Sequence, residues 1–264
     1  MRVIYLISGL CIIASFILWL GSLHRIKRVW AATSAFILVL ISGGLLLAAV
    51  LPQNSFYGRT VARVNTSAKV VALTFDDGPY SPYTGQLLKV LAEKNVRATF
   101  FLVGDNVREE QDTVMLISEN GHEIALHADR HIDSLKLSKT ELEQNILRGK
   151  KMLEEITGQK INYMRPPHGF RDWQVMSAAE DAGLQIINWS VIPRDWTNPG
   201  SEVIAERVCK EVFPGAIVLL HDGDSPKKTA SRAQTVEAVA VIIDRLRSEG
   251  YRFVTISELL EYEE

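Results

Sequence analysis

Cysteine is scarce in this chain of 264 residues: Cys11 and Cys209 are the only two. One lies in an apolar run and the other far along the chain, so no disulfide framework can hold the fold. A basic surplus is also missing, since the formal charge is −2. Residues 1–51 contain no acid, and Arg2, Arg25, Lys27 and Arg28 give them +4, which leaves −6 on the remainder. An acidic domain is poorly suited to neutralising phosphates, which argues against nucleic acid as a partner. Internal repeats and low-complexity tracts are absent too, so a solenoid is excluded. Nothing in the composition implies a protein partner.

Charge is missing altogether from Val3 to Gly21 and from Trp30 to Leu51. As a helix, each stretch is long enough to cross a hydrocarbon layer of about 30 Å. The short loop between them, residues 22–29, carries Arg25, Lys27 and Arg28. Residues 1–51 therefore read as a transmembrane helical hairpin. A cleaved signal peptide is the alternative; Arg2 alone makes a thin basic start, and no small-x-small site closes the first run, although Ala48-Ala49 leaves late processing open. The positive-inside bias puts the basic loop in the cytoplasm. The expected location is the cytoplasmic membrane, with two spans and everything after Leu51 on the extracellular side.

What is present begins after residue 51. Residues 52–69 are polar and aperiodic and read as a linker to a domain over 70–264. Short apolar runs then alternate with amphipathic segments. The strand candidates are 70–75, 98–103, 123–127, 161–165, 184–189, 216–221 and 252–256. Ser138-Lys139-Thr140-Glu141 is a capping box ahead of Leu142, Ile146, Leu153 and Ile156, with Gly158 placed to end the helix. Val236, Val239, Ile243 and Leu246 make a second stripe, closed by Gly250. Strand–helix alternation of this kind predicts an α/β fold, a distorted (β/α) barrel of about seven parallel strands.

Chemistry-bearing residues fall at the ends of those strands. Asp76 and Asp77 follow the run Val70–Phe75 and precede Gly78-Pro79. Adjacent carboxylates at a strand edge repel unless a cation or a shared proton separates their roles. The plain alternative is a solvated Asp-Asp-Gly turn. His127 and His131 are four apart, which predicts two imidazoles converging on one face of a helical turn, a common metal-ligand spacing. With Asp77 they would make two imidazoles and one carboxylate, the donor set of an open catalytic metal site. Zn²⁺ is the first expectation for one divalent ion there, and other first-row metals bind the same donors. Arg165-Pro166-Pro167-His168-Gly169 ends another strand; its prolines stiffen a turn that could hold a backbone N–H in place. Asp195-Trp196 follows the fifth strand candidate, and Leu219-Leu220-His221 ends the sixth.

These stretches, in this order across roughly 70–260, resemble the five motifs of the polysaccharide deacetylases with a NodB-homology domain, carbohydrate esterase family four. The resemblance implies a general base at Asp76, metal ligands at Asp77, His127 and His131, and a general acid at His221 supported by Asp195. It further implies that Arg165 orients Asp76, that the backbone around Pro167, His168 and Gly169 binds the oxyanion, and that Trp196 and Leu219 line the acetyl pocket. The implied activity is metal-dependent N-deacetylation of an extracellular or cell-wall polymer such as peptidoglycan, chitin or poly-N-acetylglucosamine. Ala128 and Ile192 depart from the family pattern, which has a hydroxyl residue and an acid there, and His168 stands where Tyr is frequent. Two other readings compete. A non-catalytic carbohydrate-binding scaffold would be expected to have lost an acid or a histidine, and none is lost. A phosphoesterase would call for a second metal site or more cations.

Overall fold

In the computed structural model, which describes residues 2–264, the two uncharged stretches form helices α1 (Val3–Ser22) and α2 (Arg28–Val50). They pack as a hairpin through small residues: Ala14, Gly21, Ala31 and Ala35 are buried, whereas Phe16, Trp19, Phe36 and Leu40 face outward. A Cβ on Gly21 would lie 2.6 Å from the Ala31 Cβ, so that crossing requires glycine. Both helices are long and apolar enough to cross a membrane.

The domain alternates strands and helices as expected. Its elements are β1 (Val70–Asp76), α3 (Tyr83–Glu93), β2 (Thr99–Val103), α4 (Gly104–Glu109), α5 (Gln111–Glu119), β3 (Glu123–Ala128), α6 (Lys139–Thr157) and β4 (Tyr163–Met164). They continue with α7 (Trp173–Asp181), β5 (Gln185–Ile186), α8 (Ser201–Glu211), β6 (Ala216–His221), α9 (Ala233–Ser248), β7 (Arg252–Phe253) and α10 (Ile256–Leu260). The seven strands are all parallel, in the order β5-β4-β3-β2-β1-β6, with β7 on the start of β1. Every residue of β1 is buried, the mark of a parallel strand covered on both faces. Phe75 and Phe100 stack across β1 and β2 with centroids 5.2 Å apart.

The capping box forms as read: Ser138 accepts the Glu141 N–H, Glu141 accepts the Ser138 N–H, and Gly158 ends α6 at φ 65°. The fourth, fifth and seventh strands are much shorter than their apolar runs suggested, two residues each. The ladder is sparse here: β3 and β4 share the single pair Leu126–Met164. Hydrophobic runs report burial, whereas strand length depends on a partner being in register.

The ring is drawn together outside the named strands. Val191 bridges Val218 on β6. Val61 bridges Ile187 beside β5, and Arg63 bridges Ala216 on β6. Residues 61–63, inside the stretch expected to be a linker, thus fill the gap between the two edge strands, and Val61, Ala62 and Val64 are buried. The register pairs Asp76 with His221, so the ends of β1 and β6 present their side chains from adjacent positions.

Candidate active site

β1 carries Asp76 to its last position, and the backbone then turns through φ 73° at Asp77. A side chain other than glycine's is costly in that left-handed region, so the surroundings must hold it. They do. The Asn106 amide donates to the Asp77 carbonyl at 2.7 Å. Gly223 lies so close that a Cβ there would sit 2.0 Å from the same carbonyl oxygen. Neither Asn106 nor Gly223 could be singled out in the sequence, because their role depends on a contact across the barrel.

Asp76 is buried and faces Arg165, whose Nη1 lies 2.6 Å from its Oδ1. Arg165 is itself fully buried. Its remaining donors go to Thr74 Oγ1 (2.9 Å) and to the carbonyls of Ile187 (3.2 Å) and Asn188 (3.0 Å), and its guanidinium stacks on Phe101 at 4.0 Å. So complete a set of partners fixes one orientation for the arginine and hence for the carboxylate. Burial pushes the Asp76 pKa upward, with Arg165 and His221 pulling against it.

His127 lies on β3 and His131 in the loop beyond it, so the pair does not ride on a helical turn as the spacing suggested. β3 runs on through Ala128, pairing it with Val103, and the chain then leaves the sheet. Asp129 anchors that exit, its carbonyl accepting the Asp105 N–H at 2.9 Å, while Asn145 Oδ1 accepts the Arg130 N–H at 2.7 Å. The imidazoles converge nevertheless, with centroids 5.1 Å apart. His127 Nδ1 lies 2.7 Å from the Arg165 carbonyl. A carbonyl only accepts, so Nδ1 carries the proton and the Nε2 lone pair turns toward Asp77.

Asp77 Oδ1 is 3.5 Å from His127 Nε2 and 3.3 Å from His131 Nε2. One donor atom from each of the three residues lies within 4.8 Å of the others. Among the described residues, the buried Asp77 Oδ1 has no hydrogen-bond partner. Burial, reinforced by neighbouring cations, drives His127 well below the usual imidazole range, and burial likewise lowers His131. Neutral imidazoles beside an unpartnered carboxylate oxygen are the donors a divalent cation takes, so these residues fit a metal.

Across the cavity, His221 Nδ1 is 2.9 Å from Asp195 Oδ1, and its backbone N–H donates to Oδ2 at 2.8 Å. Thr235 on α9 adds a 2.9 Å hydrogen bond to the same Oδ2, a partner the sequence did not signal. Burial alone would lower His221, but Asp195, together with Asp77 and Asp76, raises it to about 9. It is therefore an imidazolium at neutral pH, whereas the two histidines beside Asp77 are not.

Asp76, Asp77, His127, His131, His168, Trp196, Leu219 and His221 all line one cavity of about 410 Å³. Arg165 and Asp195 sit behind its wall and are fully buried. Pro167 and Gly169 shape the turn beneath His168, whose φ is 61°. Phe170, Trp189, Ile192, Asp224, Ser225 and Arg232 complete the lining and were not singled out as lining residues from sequence. A larger groove of about 600 Å³, beside Tyr57, Trp173 and Glu180, holds none of these groups.

A family model described as polysaccharide deacetylase matches residues 63–187. A peptidoglycan-N-acetylglucosamine deacetylase of Bacillus cereus is 42% identical over 207 residues, which is 78% of this chain and 94% of that protein. A chitooligosaccharide deacetylase of Sinorhizobium fredii is 36% identical over 74% of this chain and 94% of its own length. Among solved structures, a pseudoenzyme of carbohydrate esterase family four from Bacillus anthracis superposes with a TM-score of 0.71 at 32% identity, covering 78% of this chain and 70% of that one.

Proposed function

The chain belongs to the polysaccharide deacetylase family, and on that premise we propose a membrane-anchored, metal-dependent N-deacetylase acting on acetylated amino sugars of an extracellular polymer. One observation carries the reading: a carboxylate held by a buried arginine stands between a metal-type donor triad and a histidine that three carboxylates keep protonated against the effect of burial.

Asp77, His127 and His131 would hold one divalent ion, Zn²⁺ by donor type, though other first-row metals suit the same set. When bound, the ion supplies Lewis-acid polarisation of the amide carbonyl and makes water more acidic. Asp76, aimed by Arg165, takes the proton from the attacking water. The N–H groups of Gly169 and Phe170 donate to the carbonyls of Pro166 and Pro167, and the His168 N–H is assigned to the developing oxyanion. His221 then delivers its proton to the departing amine, which leaves poorly without one. Trp196 and Leu219 enclose the acetyl methyl. The products are acetate and a free amino sugar.

Acetate release by the full chain from peptidoglycan, chitooligosaccharides and poly-N-acetylglucosamine tests this reading and ranks the substrates. Turnover on at least one is expected. Release from none of them would favour the second reading, a non-catalytic carbohydrate-binding scaffold, which the similarity to a pseudoenzyme keeps in view.

The pH profile follows from the site. His221 acts protonated, so activity is present below its pKa and lost as pH rises through about 9. Asp76 acts ionised, so activity falls on the acid side of a pKa raised above the ordinary carboxylate range. Asp195→Asn removes the charge that lifts His221 most and should move the alkaline limb to lower pH. A limb left in place in that variant would remove His221 from the acid role.

Topology decides which polymers the site can meet. With Arg25, Lys27 and Arg28 together in the short turn between the helices, the orientation with that turn in the cytoplasm and the domain outside follows the usual bias. Protease added to intact spheroplasts should digest the domain and leave a membrane-embedded hairpin. Protection until lysis would place the domain inside and remove wall polymers as substrates.

A further inference from the structure

Four hydrogen bonds joining the hairpin to the domain fall on one loop, residues 170–172, directly after the His168–Gly169 turn. Arg171 is 1% exposed. Its Nη1 donates to the Gly169 carbonyl (2.9 Å) and its Nε to Thr60 Oγ1 (3.1 Å). Its Nη2 donates to the carbonyls of Leu51 (2.7 Å), Pro52 (3.2 Å) and Asn54. Its own N–H donates to the Ala49 carbonyl in the last turn of α2 at 3.0 Å. Every side-chain partner is a neutral oxygen; Leu51 closes the hairpin, and Pro52 and Asn54 begin the segment that leads from it into the domain. A buried guanidinium without those acceptors is left unsatisfied and costly.

Asp172 is fully buried. It takes the Arg2 guanidinium at 3.2 Å and the Val3 N–H at 3.1 Å, and it caps α7 through the N–H groups of Gln174 (3.1 Å) and Val175 (3.0 Å). Arg2 also donates to the Ser134 carbonyl. Asn188 donates to the Pro52 carbonyl at 3.1 Å, while its own carbonyl accepts from Arg165, the arginine that aims Asp76. Tyr57 reaches back to the Leu45 carbonyl at 2.8 Å, and Val3, Ala48 and Ala49 belong to the domain's own apolar core. One connected set of hydrogen bonds thus runs from both hairpin ends to the His168 turn and to Arg165.

We infer that the hairpin is a working part of the active site, with Arg2, Arg171 and Asp172 as positioning residues that brace the His168 turn. The inference rests on the oxyanion role given to that turn above. A mere tether would hold the domain near a membrane and leave the turn indifferent to α1 and α2.

The test uses the full chain in detergent micelles. Arg2→Ala changes no residue of the domain, and it removes an extracellular charge, so it does not oppose the orientation. Hydrogen exchange of peptides spanning 165–173 should speed up by on the order of tenfold, with β1 and β2 unchanged. Turnover of a chitooligosaccharide should fall roughly 3- to 10-fold at constant KM, and Arg2→Lys should restore most of it. Arg171→Lys, which keeps the charge but loses the fork, should lower kcat by about 10- to 100-fold. Unchanged exchange in both variants overturns the brace. Faster exchange with wild-type kcat overturns its link to the site. Should the wild type turn over no substrate, the proposed function fails, and the exchange data still decide whether the hairpin braces the loop.

Discussion

Asp76→Asn and His221→Ala should each lower turnover by about 10²–10⁴-fold, the usual contribution of a positioned base or acid. Both variants should keep wild-type metal content, because neither residue belongs to the donor triad. Asp76→Asn retains a group that can accept from Arg165 while removing the capacity to take a proton, so the loss would be chemical rather than structural. His221→Ala removes the one imidazole at the site whose pKa is raised, to about 9. Without it the amine must leave unprotonated. A near wild-type rate in either variant would strike that residue from the mechanism. Loss of metal alongside activity would instead mean that Asp76 or His221 shapes the donor triad.

His131→Ala is the second large effect. His131 Nε2 stands 3.3 Å from Asp77 Oδ1, and its removal leaves one imidazole and one carboxylate. Groups that merely orient a ligand typically cost about 10- to 100-fold in metal affinity, so loss of a ligand itself should exceed that range. Metal analysis after dialysis should read close to one ion per chain for the wild type and far less for the variant, with activity falling in parallel. His168→Ala is the contrast. Its ring packs on His131 with centroids 5.1 Å apart, but it lies outside the triad and its assigned role uses the backbone. It should keep its metal. Equal metal in wild type and His131→Ala, with activity surviving chelation, would overturn the site.

Much of this was legible before any coordinates. Apolar periodicity located the barrel strands because burial imposes it locally, and the capping box at Ser138 and Glu141 is complete within four residues. The chemical groups were legible for a similar reason: Asp76, Asp77, His127, His131 and His221 all stand at or just past the end of a run already identifiable as a strand. What failed was local geometry set by distant partners. The His127–His131 pair was expected on a helical turn, yet pairing of Ala128 with Val103 carries β3 past His127 and sends His131 into a loop.

Composition and short-range pattern were enough for the class of fold, for two long apolar helices ahead of an acidic domain, and for the residue types that could hold a metal. Those are properties of composition and short-range order, which a linear string records. The folded chain was needed to see which strands are too short to pair for long, that residues 61–63 fill the gap between β5 and β6, and that Asn106, Gly223 and Thr235 hold the site's geometry. It alone brought Arg171 and Asp172 against the hairpin ends, 120 residues from Leu51 and 170 from Arg2. Contacts over such separations depend on how the barrel closes, and no periodicity or motif in one sequence encodes that closure.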